Sequence, residues 1–112
     1  MTRDADIHLA TYGTLGPGKP NHHHLSALRG TWTTGFVRGR LHEEGWGAAQ
    51  GYPGLVLGDG DEIRVDLLRS EDLPEHWPRL DAFEGDGYRR VATTVVTATG
   101  DVDACIYVLA GR

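Results

Sequence analysis

Apolar and polar residues alternate along six separate stretches of this chain, and each alternation predicts a β-strand. In the first, Ile7, Leu9 and Thr11 alternate with His8, Ala10 and Tyr12. In the second, Gly30 to His42, the residues Trp32, Thr34 and Phe36 fall on one side and Thr33 and Val37 on the other. Gly35 and Gly39 in this stretch predict a bulge or a sharp bend, as in a small barrel. Leu55-Val56-Leu57 is a brief strand. The clearest alternation sets Ile63, Val65 and Leu67 against Glu62, Arg64 and Asp66. Tyr88 to Thr97 and Val102 to Leu109 complete the set, with Thr99-Gly100-Asp101 as a tight hairpin turn between them. In the last strand Tyr107 shares a side with Cys105 and Leu109, opposite Ile106 and Val108.

Helical spacing is found in two places. Asn21 can cap a short helix over His22 to Leu28, with Leu25 and Leu28 on its buried face. Ser70 can cap a second segment, in which Pro74 suits the first turn. Pro78 removes a backbone donor and predicts two short pieces rather than one helix. Trp77, Leu80 and Glu84 follow at helical spacing, and Gly85 is a good terminator. Residues 1 to 6 read as a loose lead-in. Glu43 to Pro53, glycine-rich and carrying Trp46 and Tyr52, reads as a long functional or irregular loop. Asp59, Asp61 and Glu62 read as a solvated turn, since the full calcium-loop pattern is missing.

Two places carry candidate chemistry. Ala10 to Gly18 runs from the first strand into a bend in which Gly13, Gly16 and Gly18 let the backbone take conformations closed to other residues. Successive N–H groups in such a bend can hold an anion. The spacing matches neither a P-loop nor a dinucleotide fingerprint, so the anion it suggests is a small one such as a carboxylate. On local composition alone an ordinary strand-to-turn junction is the commoner reading, since glycine-rich turns are common. Glu84 is the most suggestive acid. It lies on the apolar face of its segment and at the negative end of the helix dipole, and both push its pKa upward. An acid raised toward neutrality can take a proton and return it. The plain alternative is a Glu84 paired with Arg89 or Arg90, or pointing to water. His22-His23-His24 does not read as a metal site, because consecutive helical residues point about 100° apart.

Composition narrows the classes. The 112 residues fit one domain, 1–112, with a single core, and a net charge of −5 disfavours nucleic acid as a partner. No apolar run approaches the roughly 20 residues that span a bilayer, and the polar, acidic start does not resemble a secretory leader. The one cysteine, Cys105, excludes an internal disulfide and fits a reducing compartment, so a cytoplasmic location is expected. Nothing in the sequence indicates an oligomeric state.

Tyr12-Gly13-Thr14-Leu15 followed by Pro20-Asn21-His22-His23, then Leu80-Asp81-Ala82-Phe83-Glu84-Gly85-Asp86-Gly87-Tyr88-Arg89-Arg90, resembles the gamma-glutamylcyclotransferase-like family. The resemblance implies an α+β fold, a small mixed β-barrel with short flanking helices. It implies an enzyme in which a gamma-glutamyl amine or gamma-glutamyl amino acid closes on itself, giving 5-oxoproline and a free amine without metal or organic cofactor. By that analogy Glu84 is the catalytic general base and then acid. The backbone at Gly13, Thr14 and Leu15 cradles the glutamyl carboxylate or the developing oxyanion, and Tyr12, Tyr88 and Tyr107 shape the pocket. Thr14 stands where the family more often has Ser, and the chain lacks the C-terminal extension of larger members, which carries a further pocket tyrosine. Two other readings remain compatible with the sequence: a non-catalytic binder of a small carboxylate ligand using the same pocket, and a structural or partner-binding domain.

Overall fold

The alternating stretches become six strands in a computed structural model that describes residues 3–43 and 53–111. They are β1 (His8–Thr11), β2 (Thr31–His42), β3 (Gly54–Leu57), β4 (Asp61–Arg69), β5 (Tyr88–Thr97) and β6 (Gly100–Leu109). Two helices, α1 (Arg3–Asp6) and α2 (Leu73–Glu84), and a 3₁₀ turn at His22–His24 complete the described elements. The sheet runs β3-β2-β4-β1-β6-β5, and Phe36 of β2 pairs with Val96 of β5. That pair closes β2, β4, β1, β6 and β5 into a five-stranded barrel, with β3 as an extension on β2. The β1–β6 pair is parallel and the rest are antiparallel, so the barrel is mixed.

Strand alternation divides the apolar residues between two cores. Ala10, Val65, Leu67, Val95, Ile106 and Val108 fill the barrel interior. Leu9, Leu68, Cys105 and Tyr107, one position along, face outward and pack against Leu73, Trp77 and Leu80 of α2. The period-2 geometry of a strand produces this division, since neighbours such as Leu9 and Ala10 must point to opposite faces. Gly35 lies where the barrel closes. A Cβ there would come within 2.6 Å of Val95 Cγ1 and 2.7 Å of the Val96 carbonyl oxygen, so close approach of two strands, not a bulge, explains this glycine.

Three local expectations are corrected. The predicted helix over 22–28 is a 3₁₀ turn followed by further turns. Leu25 N–H donates to the His22 carbonyl and Leu28 N–H to the Leu25 carbonyl, both at a spacing of three. Asn21 makes no side-chain cap, although Leu25 and Leu28 are buried as expected. The two-piece helix is one continuous helix, α2, with Pro78 inside it. Pro74 and Pro78 lie one turn apart on the exposed side, where water can satisfy the carbonyl that loses its donor, while Leu73, Trp77 and Leu80 hold the buried side. The lead-in is also more ordered than expected: α1 buries Ala5, and the Trp77 indole N–H donates to the Asp6 carbonyl at 3.1 Å. The loop expected to carry Trp46 and Tyr52 lies outside the described residues.

Candidate functional site

An open pocket of about 430 Å³, counting its mouth, lies where the end of β1, the C-terminus of α2 and the starts of β3 and β5 meet. Its walls are Ala10 to Leu15, Pro53, Glu84, Tyr88 and Tyr107. All seven site residues named from the sequence are therefore brought to one cavity, from four parts of the chain.

Glu84 arrives there because α2 buries one stripe. Leu73, Trp77 and Leu80 anchor that stripe against the outer core, and Glu84 continues it one turn further. Gly85 then ends the helix with φ 78°, and its N–H donates to the Asp81 carbonyl at 3.0 Å. Burial pushes the Glu84 carboxyl up to about 7 from its ordinary value near 4.5. Its place at the carbonyl end of α2 acts in the same direction.

The opposing wall is the bend after β1. Among the described residues, no protein group accepts a hydrogen bond from the N–H of Gly13, Thr14 or Leu15. Of the three glycines in the bend only Gly18 has a left-handed backbone, at φ 76°. Gly16 is closely approached instead: a Cβ would sit 3.0 Å from Asp66 Oδ2 and 3.2 Å from Thr11 Oγ1, so those side-chain ends would have to give way. The expectation that all three glycines serve unusual backbone angles is corrected accordingly.

The tyrosines are held by the protein itself. Tyr12 O–H donates to the Tyr107 carbonyl at 2.7 Å and accepts from Leu55 N–H at 3.0 Å. Tyr107 O–H donates to Asp81 Oδ1 at 2.7 Å. Burial raises the pKa of both phenols, so neither is a proton donor near neutral pH. Tyr88 stands half-buried at the start of β5 and lines the cavity. Of the lining groups, Glu84 is the one whose carboxyl burial brings to about 7.

Sequence reasoning missed the group behind this wall. Arg90 Nε donates to Asp81 Oδ1 at 2.9 Å and its Nη2 to Oδ2 at 3.3 Å, while its guanidinium lies 4.4 Å from the Trp77 ring centre. Burial opposes ionisation of Asp81, but the bonds from Arg90 and Tyr107 prevail and hold its carboxyl below the usual range. Arg90 therefore serves Asp81, not Glu84 as the plainer reading supposed. The spacing did contain this arrangement: Asp81 is three residues before Glu84 on the helix, and Arg90 shares a strand face with Tyr88.

The three consecutive histidines do not converge on one point. His22 Nδ1 bonds the Leu15 carbonyl at 3.0 Å, His23 meets His24, and the His24 ring lies 4.0 Å from that of Phe83. Among the described residues no group of three or more His, Cys, Asp or Glu side chains is placed to hold a metal ion. Cys105 is fully buried in the outer core, and burial raises its pKa, as expected of a packing residue.

Comparison with known proteins bears on what this cavity is for. A family model described as gamma-glutamyl cyclotransferase, AIG2-like, matches residues 9–112. The chain belongs to that family. Its structure resembles YkqA from Bacillus subtilis with a TM-score of 0.72 and 28% identity, over 93% of this chain and 36% of that one. It also resembles an uncharacterised protein from Pyrococcus horikoshii, with a TM-score of 0.67 and 28% identity over 95% and 80% of the two chains. An AIG2-like protein from Mus musculus shares the fold, with a TM-score of 0.71 and 24% identity over 96% and 80%. The chain thus spans about a third of YkqA and most of the other two. No curated protein matches it. Cyclotransferase-type activity on small gamma-glutamyl substrates is what membership of this family implies. Among the described residues no helix is long and apolar enough to cross a membrane.

Proposed function

We propose that this protein is a cyclotransferase that converts a gamma-glutamyl amine or gamma-glutamyl amino acid into 5-oxoproline and a free amine, with Glu84 moving the proton. The observation that carries the proposal is the Glu84 carboxyl, raised to about 7, in one cavity with the backbone of Gly13, Thr14 and Leu15. Ring closure is intramolecular, so holding the substrate folded supplies much of the rate; effective molarities in such arrangements reach ~10⁵ M or more. What remains is proton transfer and charge stabilisation.

Ionised Glu84 takes a proton from the substrate's α-ammonium. The freed nitrogen attacks the side-chain amide carbon, a C–N bond forms, and the carbonyl oxygen becomes an oxyanion. The N–H groups of the bend hold that oxyanion or the glutamyl carboxylate. Protonated Glu84 then returns its proton to the leaving nitrogen, and the original amide C–N bond breaks. The ring nitrogen sheds its second proton to the departing amine, which leaves as an ammonium. Protons balance without uptake from solvent, and Glu84 returns to its starting state. Tyr12, Tyr88 and Tyr107 form walls rather than acids, and no metal or organic cofactor takes part.

The test is incubation of the protein with a panel of gamma-glutamyl amines and gamma-glutamyl amino acids, followed by detection of 5-oxoproline. Turnover of at least one substrate class supports the proposal, and no product across the panel contradicts it.

A further inference from the structure

The sequence motif left unused so far is Pro20-Asn21-His22. It lies outside the cavity, against the back of the bend that lines it. Three consecutive carbonyls of the bend are each held from this side. Asn21 N–H donates to the Thr14 carbonyl at 2.9 Å, and Lys19 N–H donates to the Gly16 carbonyl at 3.0 Å. Between them the His22 ring reaches the Leu15 carbonyl at 3.0 Å. A carbonyl only accepts, so Nδ1 carries the hydrogen in this bond. The ring in turn packs against Trp32, with centroids 5.6 Å apart, and Trp32 rests on the outer core.

The geometry of a trans peptide gives this arrangement a consequence. The C=O of one residue and the N–H of the next point in opposite directions, and no described peptide bond is cis. Fixing the Thr14 carbonyl toward Asn21 turns the Leu15 N–H to the opposite side. Fixing the Leu15 carbonyl toward His22 anchors the next peptide, whose Gly16 N–H lies outside the cavity lining, and so holds Leu15 at both ends. Leu15 lines the cavity, whereas Asn21 and His22 do not.

We propose that His22 is a positioning residue for the anion cradle: its Nδ1–H, with the Asn21 amide, braces the carbonyl side of the bend so that the N–H side is preorganised before substrate arrives. The inference deepens the cyclotransferase reading and, for its catalytic consequence, rests on it. Pre-set donors cost no reordering at the moment charge develops, which is where their value to a reaction lies.

Two substitutions separate the hydrogen bond from the ring. His22→Asn keeps an N–H donor at the position of Nδ1 and loses the ring. His22→Phe keeps a ring against Trp32 and loses the donor. Backbone ¹⁵N order parameters are measured at Leu15 and Gly16 in the protein without substrate, where wild type and His22→Asn are expected near about 0.85 and His22→Phe below about 0.6. For a gamma-glutamyl amide that the wild type turns over, kcat/KM is expected to fall about tenfold in His22→Phe, the scale of one lost hydrogen bond, and within about threefold of wild type in His22→Asn. His22→Ala, read the same way, replaces His22→Phe if that variant fails to fold. Rigid Leu15 and Gly16 in the donor-less variant overturn the proposal. So does equal loosening in His22→Asn and His22→Phe, which would assign the ring to packing alone. A wild type that makes no 5-oxoproline contradicts the cyclotransferase reading, while the order parameters still decide the brace.

Discussion

At the scale of single residues, the account turns on the environment of one carboxyl. The Glu84 side chain is expected to titrate at about 7, and a ¹³C NMR titration of its carboxyl carbon reads this directly. The same shift has a sign for stability. A carboxyl whose folded pKa lies above its unfolded one favours the folded state while protonated, and that advantage is lost as pH rises from about 4.5 through about 7. Glu84→Gln removes the buried charge. It is therefore expected to stabilise the fold at pH 8 by at most ~3 kcal/mol, less as solvent reaches the group, and to leave stability unchanged at pH 4. Thermal unfolding at the two pH values checks it; a variant less stable than wild type at pH 8 would show that the charge is well compensated. Tyr107→Phe tests the wall. It loses the bond to Asp81, at a cost of about 1–2 kcal/mol in urea unfolding, but kcat should fall by less than about tenfold, because the phenol donates to Asp81 and not to substrate. A far larger loss of kcat with stability intact would make Tyr107 a proton donor.

At the scale of elements, α2 shows both what the chain's pattern conveys and where it fails. The stripe Trp77, Leu80, Glu84 was legible, because helical spacing is a local property. The continuity of the helix through Pro78 was not, because it depends on where the lost hydrogen bond falls, and here it falls on the exposed side. Pro78→Ala is expected to restore a backbone donor and raise stability by about 1–2 kcal/mol in urea unfolding without changing turnover; destabilisation of that size would mean that the proline packs better than its exposure suggests. The turn at His22–His24 failed for a related reason. Its hydrogen bonds close at a spacing of three, and composition alone does not separate that from a helical turn. Arg90, offered in the plainer alternative as a partner of Glu84, bonds Asp81 instead, one helical turn away from Glu84.

At the scale of the whole molecule, the strands were readable but their order was not. Alternation fixes which side of a strand is apolar, whereas the parallel β1–β6 pair and the closing Phe36–Val96 pair join residues more than fifty positions apart. The likeness to the family supplied the barrel, and its motifs brought together the pocket residues that no local pattern links. Closure depends on Gly35, where two strands approach too closely for a side chain. Gly35→Ala is expected to cost about 2 kcal/mol or more in urea unfolding, by forcing Val95 and the Val96 backbone aside. A neutral result would show that the seam yields without opening the barrel.

The most direct test of the account is the pH profile of kcat/KM for 5-oxoproline formation by wild type and by Glu84→Gln, on a gamma-glutamyl amide that the wild type accepts. The account predicts a wild-type rate that falls about tenfold per pH unit below about 7, and no measurable turnover in the variant although it remains folded. A folded Glu84→Gln variant that keeps the wild-type rate would contradict it.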